Sequence, residues 1–158
     1  MSSVVNHVGL SVTDPVSSRR FYENVFGFRH RNTLQVADEE AAALLQITPP
    51  VGLTAVYLEL DGFILELLHF DREGNAAGRR RSFTEPGLTH LSFGVPDMAA
   101  ACERVTAYGG HVIEGTTLDG LAVMVRDPGG QLLELLPRRL PRPSSAAGGN
   151  GPPVRTAA

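Results

Sequence analysis

The sequence predicts an α+β fold built from two tandem βαβββ modules, on three observations. The same order of alternating strand, acidic cap, amphipathic helix and glycine occurs twice along the chain. One interval of 83 positions separates His7 from His90, Asp14 from Asp97 and Gly27 from Gly110. Each copy then ends on an apolar strand that carries one glutamate, Glu66 in FILELLHF and Glu134 in QLLELLPR.

The elements follow in chain order. Val8, Leu10 and Val12 alternate with His7, Gly9 and Ser11, so the first strand has one apolar and one polar face. Asp14 followed by Pro15 predicts a helix N-cap with proline in the first turn. Phe21, Tyr22, Val25 and Phe26 recur at helical spacing before Gly27 stops the helix. Leu91, Phe93 and Val95 repeat the strand pattern, with His90, Ser92 and Gly94 on the other face. Asp97 repeats the cap, and Met98, Ala101, Cys102 and Val105 form the second helical stripe ahead of Gly109 and Gly110. The closing strands follow turns at Asp61–Gly62 and Asp127–Gly130. Glu66 and Glu134 lie only 68 positions apart, so module one carries about fifteen extra residues between its helix and its last strand. A longer Ala-rich loop or an extra helical turn around Glu39–Leu45 accommodates them. A single folded domain is expected over residues 1–138, with module one at about 4–70 and module two at about 87–138.

Composition narrows the function. The 158 residues carry a formal net charge of −3, which gives no basic surface for nucleic acid. Charges interrupt every apolar run well short of a membrane span, and the first residues lack a secretory pattern. The one cysteine, Cys102, excludes an intrachain disulfide and a multi-cysteine zinc site. A reduced, cytoplasmic setting is expected. Residues 139–158, rich in Pro, Gly, Ser and Ala, bury too little to offset their ordering entropy and read as a disordered tail.

Chemistry is carried by His7, Glu66, His90 and Glu134. A lone histidine beside a strand is ordinarily packed or solvated, and a lone strand glutamate ordinarily faces water. Here the same histidine–glutamate pair interrupts apolar sequence at matching places in both modules, where an unpartnered carboxylate would be costly. Two imidazoles and two carboxylates make a mixed N/O donor set for one divalent ion: zinc, nickel, cobalt, manganese or iron. Ile64, Leu68, Leu132 and Leu136 share the glutamates' faces and predict a partly apolar cavity. His30 and His111 follow helix stops and read as ordinary polar residues. Alternation sets His69 opposite Glu66, unless the strand ends before it. Tyr22 and Tyr108 read as packing residues, and Cys102 as an inert core thiol. Arg79, Arg80 and Arg81 form either a solvated surface or a clamp for a substrate carboxylate or phosphate.

The segments NHVGLSVTD, RRFYENVFGF, LELL, THLSFGVPD and VRDPGGQLLELL resemble the vicinal oxygen chelate superfamily. That superfamily includes glyoxalase I, methylmalonyl-CoA epimerase, extradiol dioxygenases and the fosfomycin and bleomycin resistance proteins. The resemblance covers residues 4–138 and implies paired modules curled into an incomplete barrel around a metal site. A His/Glu/His/Glu set resembles bacterial glyoxalase I, whereas the dioxygenases and fosfomycin-resistance enzymes lack a ligand matching Glu66. The resemblance implies a metal-dependent lyase or isomerase that transfers a proton beside a carbonyl through an enediolate. Glu134 would then be the general base and Glu66 the proton donor on the other face. Glyoxalases grip glutathione with an arginine four residues after the first ligand and an asparagine four after the second. Ser11 and Phe70 occupy those positions, which points to a non-glutathione substrate. The ELLH and GLTH segments also resemble the epimerase, while the DPGG turn is closer to glyoxalases. An Fe(II) extradiol-type dioxygenase and a small-molecule-binding resistance protein are the alternatives. A homodimer is implied, with each site either inside one chain or shared between two.

Overall fold

The computed structural model describes residues 2–71 and 82–138. Arg79, Arg80 and Arg81, and the segment 139–158 expected to be disordered, lie outside the described residues.

Both modules form with one topology. Module one contains β1 (Val8–Ser11), α1 (Pro15–Phe26), β2 (Arg29–Gln35), α2 (Asp38–Leu45), β3 (Leu53–Leu60) and β4 (Phe63–Phe70). Module two contains β5 (Leu91–Val95), α3 (Met98–Ala107), β6 (His111–Val112), β7 (Val123–Arg126) and β8 (Leu132–Pro137). Two four-stranded sheets result, ordered β1-β4-β3-β2 and β5-β8-β7-β6. In each, the first strand runs parallel to the last, and the other pairings are antiparallel. Among the described residues β1 and β5 are therefore edge strands, as are β2 and β6, and the sheets do not close into a barrel.

The helix signals act as their chemistry dictates. Asp14 accepts from the amides of Val16 and Ser17 at 2.9 and 3.0 Å, and Asp97 accepts from Ala100 at 2.9 Å. Gly27 caps α1 in the left-handed region at φ 83°. Its counterpart by interval, Gly110, does a different job. The left-handed position after α3 belongs to Gly109, at φ 88°, whereas a Cβ on Gly110 would lie 2.8 Å from the Phe21 ring and would collide with the Arg126 carbonyl. Gly110 is small because the chain there passes tightly between the modules.

The extra residues of module one do form a helix. α2 starts at Asp38, one residue before the expected stretch, and the Asp38 carboxylate accepts from the amides of Val51 and Gly52. Ala41 and Val51 bury there beside Leu53, with Leu68 and Phe70 packed against them, so the insertion covers one end of the sheet face that carries Glu66.

One hydrophobic core joins the two modules. Phe21, Tyr22 and Val25 of α1 and Ala101 and Val105 of α3 pack with Leu65, Leu67, Leu133 and Leu135 from the helix-facing sides of the sheets. Phe26 stacks on Phe93 at a centroid distance of 4.0 Å, tying α1 to β5. The opposite sheet faces carry the two glutamates. Among the described residues, no helix is long and apolar enough to cross a membrane.

Candidate metal centre

The parallel pairing of first and last strands builds each half of the site. His7 directly precedes β1, whose register sets Gly9 opposite Glu66 on β4. A Cβ on Gly9 would stand 3.5 Å from Glu66 Oε2, and that oxygen lies 3.0 Å from His7 Nε2. The other imidazole nitrogen, Nδ1, is 2.8 Å from the Asn6 side-chain oxygen. Glu66 is a buried residue, 8% exposed, so its carboxylate depends on these partners. Tyr57 supplies another: its hydroxyl donates to Glu66 Oε1 at 2.5 Å. That hydrogen bond, with burial and the nearby charge behind it, pushes the Tyr57 phenol up to about 12.

Module two repeats the plan with different side chains. His90 directly precedes β5, and Ser92 stands opposite Glu134 on β8. His90 Nε2 lies 3.5 Å from Glu134 Oε2, and Ser92 Oγ donates to the same oxygen at 2.8 Å. Thr89 Oγ1 is 2.9 Å from His90 Nδ1. In both modules the residue before the histidine engages Nδ1 and leaves Nε2 toward the glutamate, the second-shell pattern that orients metal-binding imidazoles.

The four residues are thus brought together as two pairs. Among the described residues, one chain assembles no group of three or more His, Cys, Asp or Glu side chains around a common point. The convergence of all four expected from the repeat is not made within a single chain, because the helices, not the glutamate-bearing faces, pack between the modules. Each pair nevertheless fits a metal ion chemically. Two ligands bound at about 2.1 Å and cis to one another stand roughly 3.0–3.4 Å apart, and the observed donor separations are 3.0 and 3.5 Å.

The remaining candidates resolve as follows. His30 pairs with Thr33, and His69, on a strand that continues to Phe70, turns to the Val12 carbonyl on the face opposite Glu66. His111 is exposed on β6. Tyr108 lies beneath the Arg20 guanidinium, and Tyr22 is fully buried. Cys102 is half-buried at the edge of the core, and burial raises its thiol pKa. Ser11 is exposed on β1, and Phe70 packs toward α2. A cleft of about 770 Å³ lies on the module boundary beside β5, lined by Phe26, Leu60, Phe63, Phe93, Arg104 and Arg138 among others. Neither glutamate lines it, although Ser92, which bonds Glu134, does.

Tyr57 and Ser92 contact the two candidate glutamates, and the strand pattern alone gave neither a role there. The Asp61–Gly62 turn carried the signal for Tyr57. Both turn residues have positive φ, as a two-residue hairpin of the primed kind requires, and that loop fixes Tyr57 opposite Glu66.

Comparison with known proteins adds family evidence. The sequence model of the Glyoxalase/Bleomycin resistance protein/Dioxygenase superfamily matches residues 4–135. A lactoylglutathione lyase of Pseudomonas aeruginosa is 28% identical over 145 residues, spanning 84% of this chain and 81% of that protein. Among solved structures, the trypanothione-dependent glyoxalase I of Leishmania major superposes with a TM-score of 0.64 at 21% identity, covering 86% of this chain and 87% of that one. A variant of the fosfomycin resistance protein FosX from Listeria monocytogenes, complexed with Mn(II) and a dihydroxypropylphosphonic acid, gives 0.62 at 17% identity over 89% and 96%. These structural likenesses establish the fold.

Proposed function

The chain belongs to the Glyoxalase/Bleomycin resistance protein/Dioxygenase superfamily, and on that premise we propose that it is a divalent-metal-dependent lyase or isomerase. It moves a proton beside a carbonyl, as a homodimer, on a substrate other than a glutathione adduct. The twinned pairs His7–Glu66 and His90–Glu134 carry this reading. A two-ligand pair is a weak site by itself, and one chain does not bring its two pairs together. A second copy completes two equivalent sites, each taking His7 and Glu66 from one protomer and His90 and Glu134 from the other. Of the four sheet edges among the described residues, β1 and β5 are the two that directly follow His7 and His90, and in this reading they bring the modules of two copies side by side.

Bound to these four residues, a divalent ion supplies Lewis-acid stabilisation of negative charge developing on substrate oxygens. The protein's own groups do the rest. Glu134 takes the proton from the carbon beside the carbonyl and delivers it to the neighbouring carbon, while Glu66 stays in place as a ligand. Ile64, Leu68, Leu132 and Leu136, partly buried on the glutamates' faces, limit water around both carboxylates. Ser11 and Phe70 supply neither the arginine nor the asparagine that would grip glutathione, which supports a different carrier or none.

Metal content of the purified dimer tests the reading, with Glu66→Gln and Glu134→Gln alongside. About one divalent ion per chain, bound more weakly by both variants, is expected. Solvent deuterium should enter 2-oxo aldehydes or acyl-CoA esters with wild type and not with Glu134→Gln. Iron bound equally well after Glu66→Gln, with oxygen consumed on catechols, would replace the proposal with the dioxygenase.

A further inference from the structure

Glu66 and Glu134 occupy matching places in the two modules, yet they are held differently. On β3, Tyr57 stands directly opposite Glu66, and its hydroxyl donates to Oε1 while His7 Nε2 meets Oε2. The Tyr57 ring also meets the His7 imidazole edge-on, with centroids 6.1 Å apart and planes at 86°. One side chain thus contacts both residues of the first pair. The matching register position in module two is Met124, opposite Glu134, which has no hydroxyl to give. Among the described residues, both contacts of Glu134, from Ser92 and His90, fall on Oε2.

We propose that Tyr57 is a positioning residue that locks Glu66 as a single-oxygen ligand, making module one the rigid half of the site. The inference rests on the metal-dependent reading above and deepens it. A phenol on Oε1 removes that oxygen from competition for the ion and fixes the carboxylate plane. The ring edge limits rotation of His7. With both donors pre-set, the ion meets one arrangement instead of several rotamers. Glu134, whose contacts among the described residues fall on one oxygen, keeps the freedom a proton-transferring carboxylate needs.

The test is Co(II) binding to the full-length dimer, followed by visible absorption, for wild type, Tyr57→Phe, Tyr57→Met and Tyr108→Phe. Tyr57→Met copies the residue that module two carries at the same register, so at least one of the two Tyr57 variants retains a side chain this ladder accepts. Both are expected to bind Co(II) about 10-fold or more weakly, the usual effect of losing a second-shell partner. At saturating Co(II) their absorption bands should differ from those of wild type, which a merely structural change would not cause. Tyr108→Phe should match wild type in both. Wild-type affinity and wild-type bands in both Tyr57 variants would overturn the role of Tyr57. Failure of the wild type itself to bind Co(II) would overturn the metal-dependent reading beneath it, a result visible before any variant is compared.

Discussion

The Tyr22 hydroxyl donates to Asp127 Oδ2 at 2.9 Å, joining helix α1 of module one to the turn before β8 of module two. Both groups are nearly inaccessible to water. Asp127 also accepts from the Gln131 amide at 2.8 Å, so one carboxylate shapes its own turn and links it to the other module. Burial raises the pKa of Asp127, opposed by hydrogen bonds from Gln131, Tyr22, Gly129 and Gly130. Burial, together with the same carboxylate, holds the Tyr22 phenol well above its ordinary range.

Removing that hydroxyl with Tyr22→Phe should cost about 1–3 kcal/mol, because a buried carboxylate loses a donor. The sign with pH follows from the raised carboxyl. The folded state favours protonated Asp127, so the stability this group adds is complete below its unfolded value of 3.8 and is lost as pH rises through the folded value. Tyr22→Phe removes a bond that favours the ionised form. Its penalty should therefore be larger near neutrality than in acid, as urea unfolding at the two pH values would measure. Equal penalties would show that the bond does not discriminate between the charge states.

Gly110→Ala should destabilise by about 1–3 kcal/mol through overpacking. The new Cβ would meet the Phe21 ring at 2.8 Å and a Val105 methyl at 3.0 Å, along with backbone that cannot swing aside. Gly27→Ala meets no neighbour within 4 Å, so its cost is confined to the left-handed backbone, about 1 kcal/mol. Thermal unfolding of both variants separates steric from conformational cost.

In Glu66→Gln, the Tyr57 phenol should ionise at lower pH. In wild type the hydrogen bond to the carboxylate is the main cause of a value of about 12. A neutral amide accepts more weakly and carries no charge to oppose a phenolate. Ultraviolet titration of the metal-free proteins should show one tyrosine moving toward its ordinary value of 10.0 in the variant. An unchanged titration would mean that Tyr57 and Glu66 are not bonded in solution.

Subunit mixing examines whether sites are shared between protomers. His7→Ala and His90→Ala homodimers should each be inactive. Unfolded together and refolded as a mixture, they form heterodimers in which one site is doubly damaged and the other intact. Random pairing then restores about a quarter of the wild-type sites. No recovery would place all four ligands of each site within one protomer.

Within one strand or helix, sequence spacing determined what this protein would do. The alternation in VGLSV and LSFGV set the two faces of the first strands, Asp14 and Asp97 set the helix starts, and the repeat interval paired His7 with His90. These rest on short-range geometry, with periods of 2 and 3.6 residues and a cap that satisfies its own amides. The partnership of His7 with Glu66 followed from the same repeat, since the pair recurs as His90 with Glu134. Tertiary structure decided the rest. Gly27 and Gly110 look equivalent by interval, but only packing against Phe21 and Arg126 explains the second. Tyr22 read as packing, and folding brought it to Asp127, a bond across 105 positions that no local pattern encodes. The separation of the two His–Glu pairs within one chain was likewise decided there. It depends on which faces of the two sheets turn toward each other, and apolar burial between α1 and α3 settles that choice.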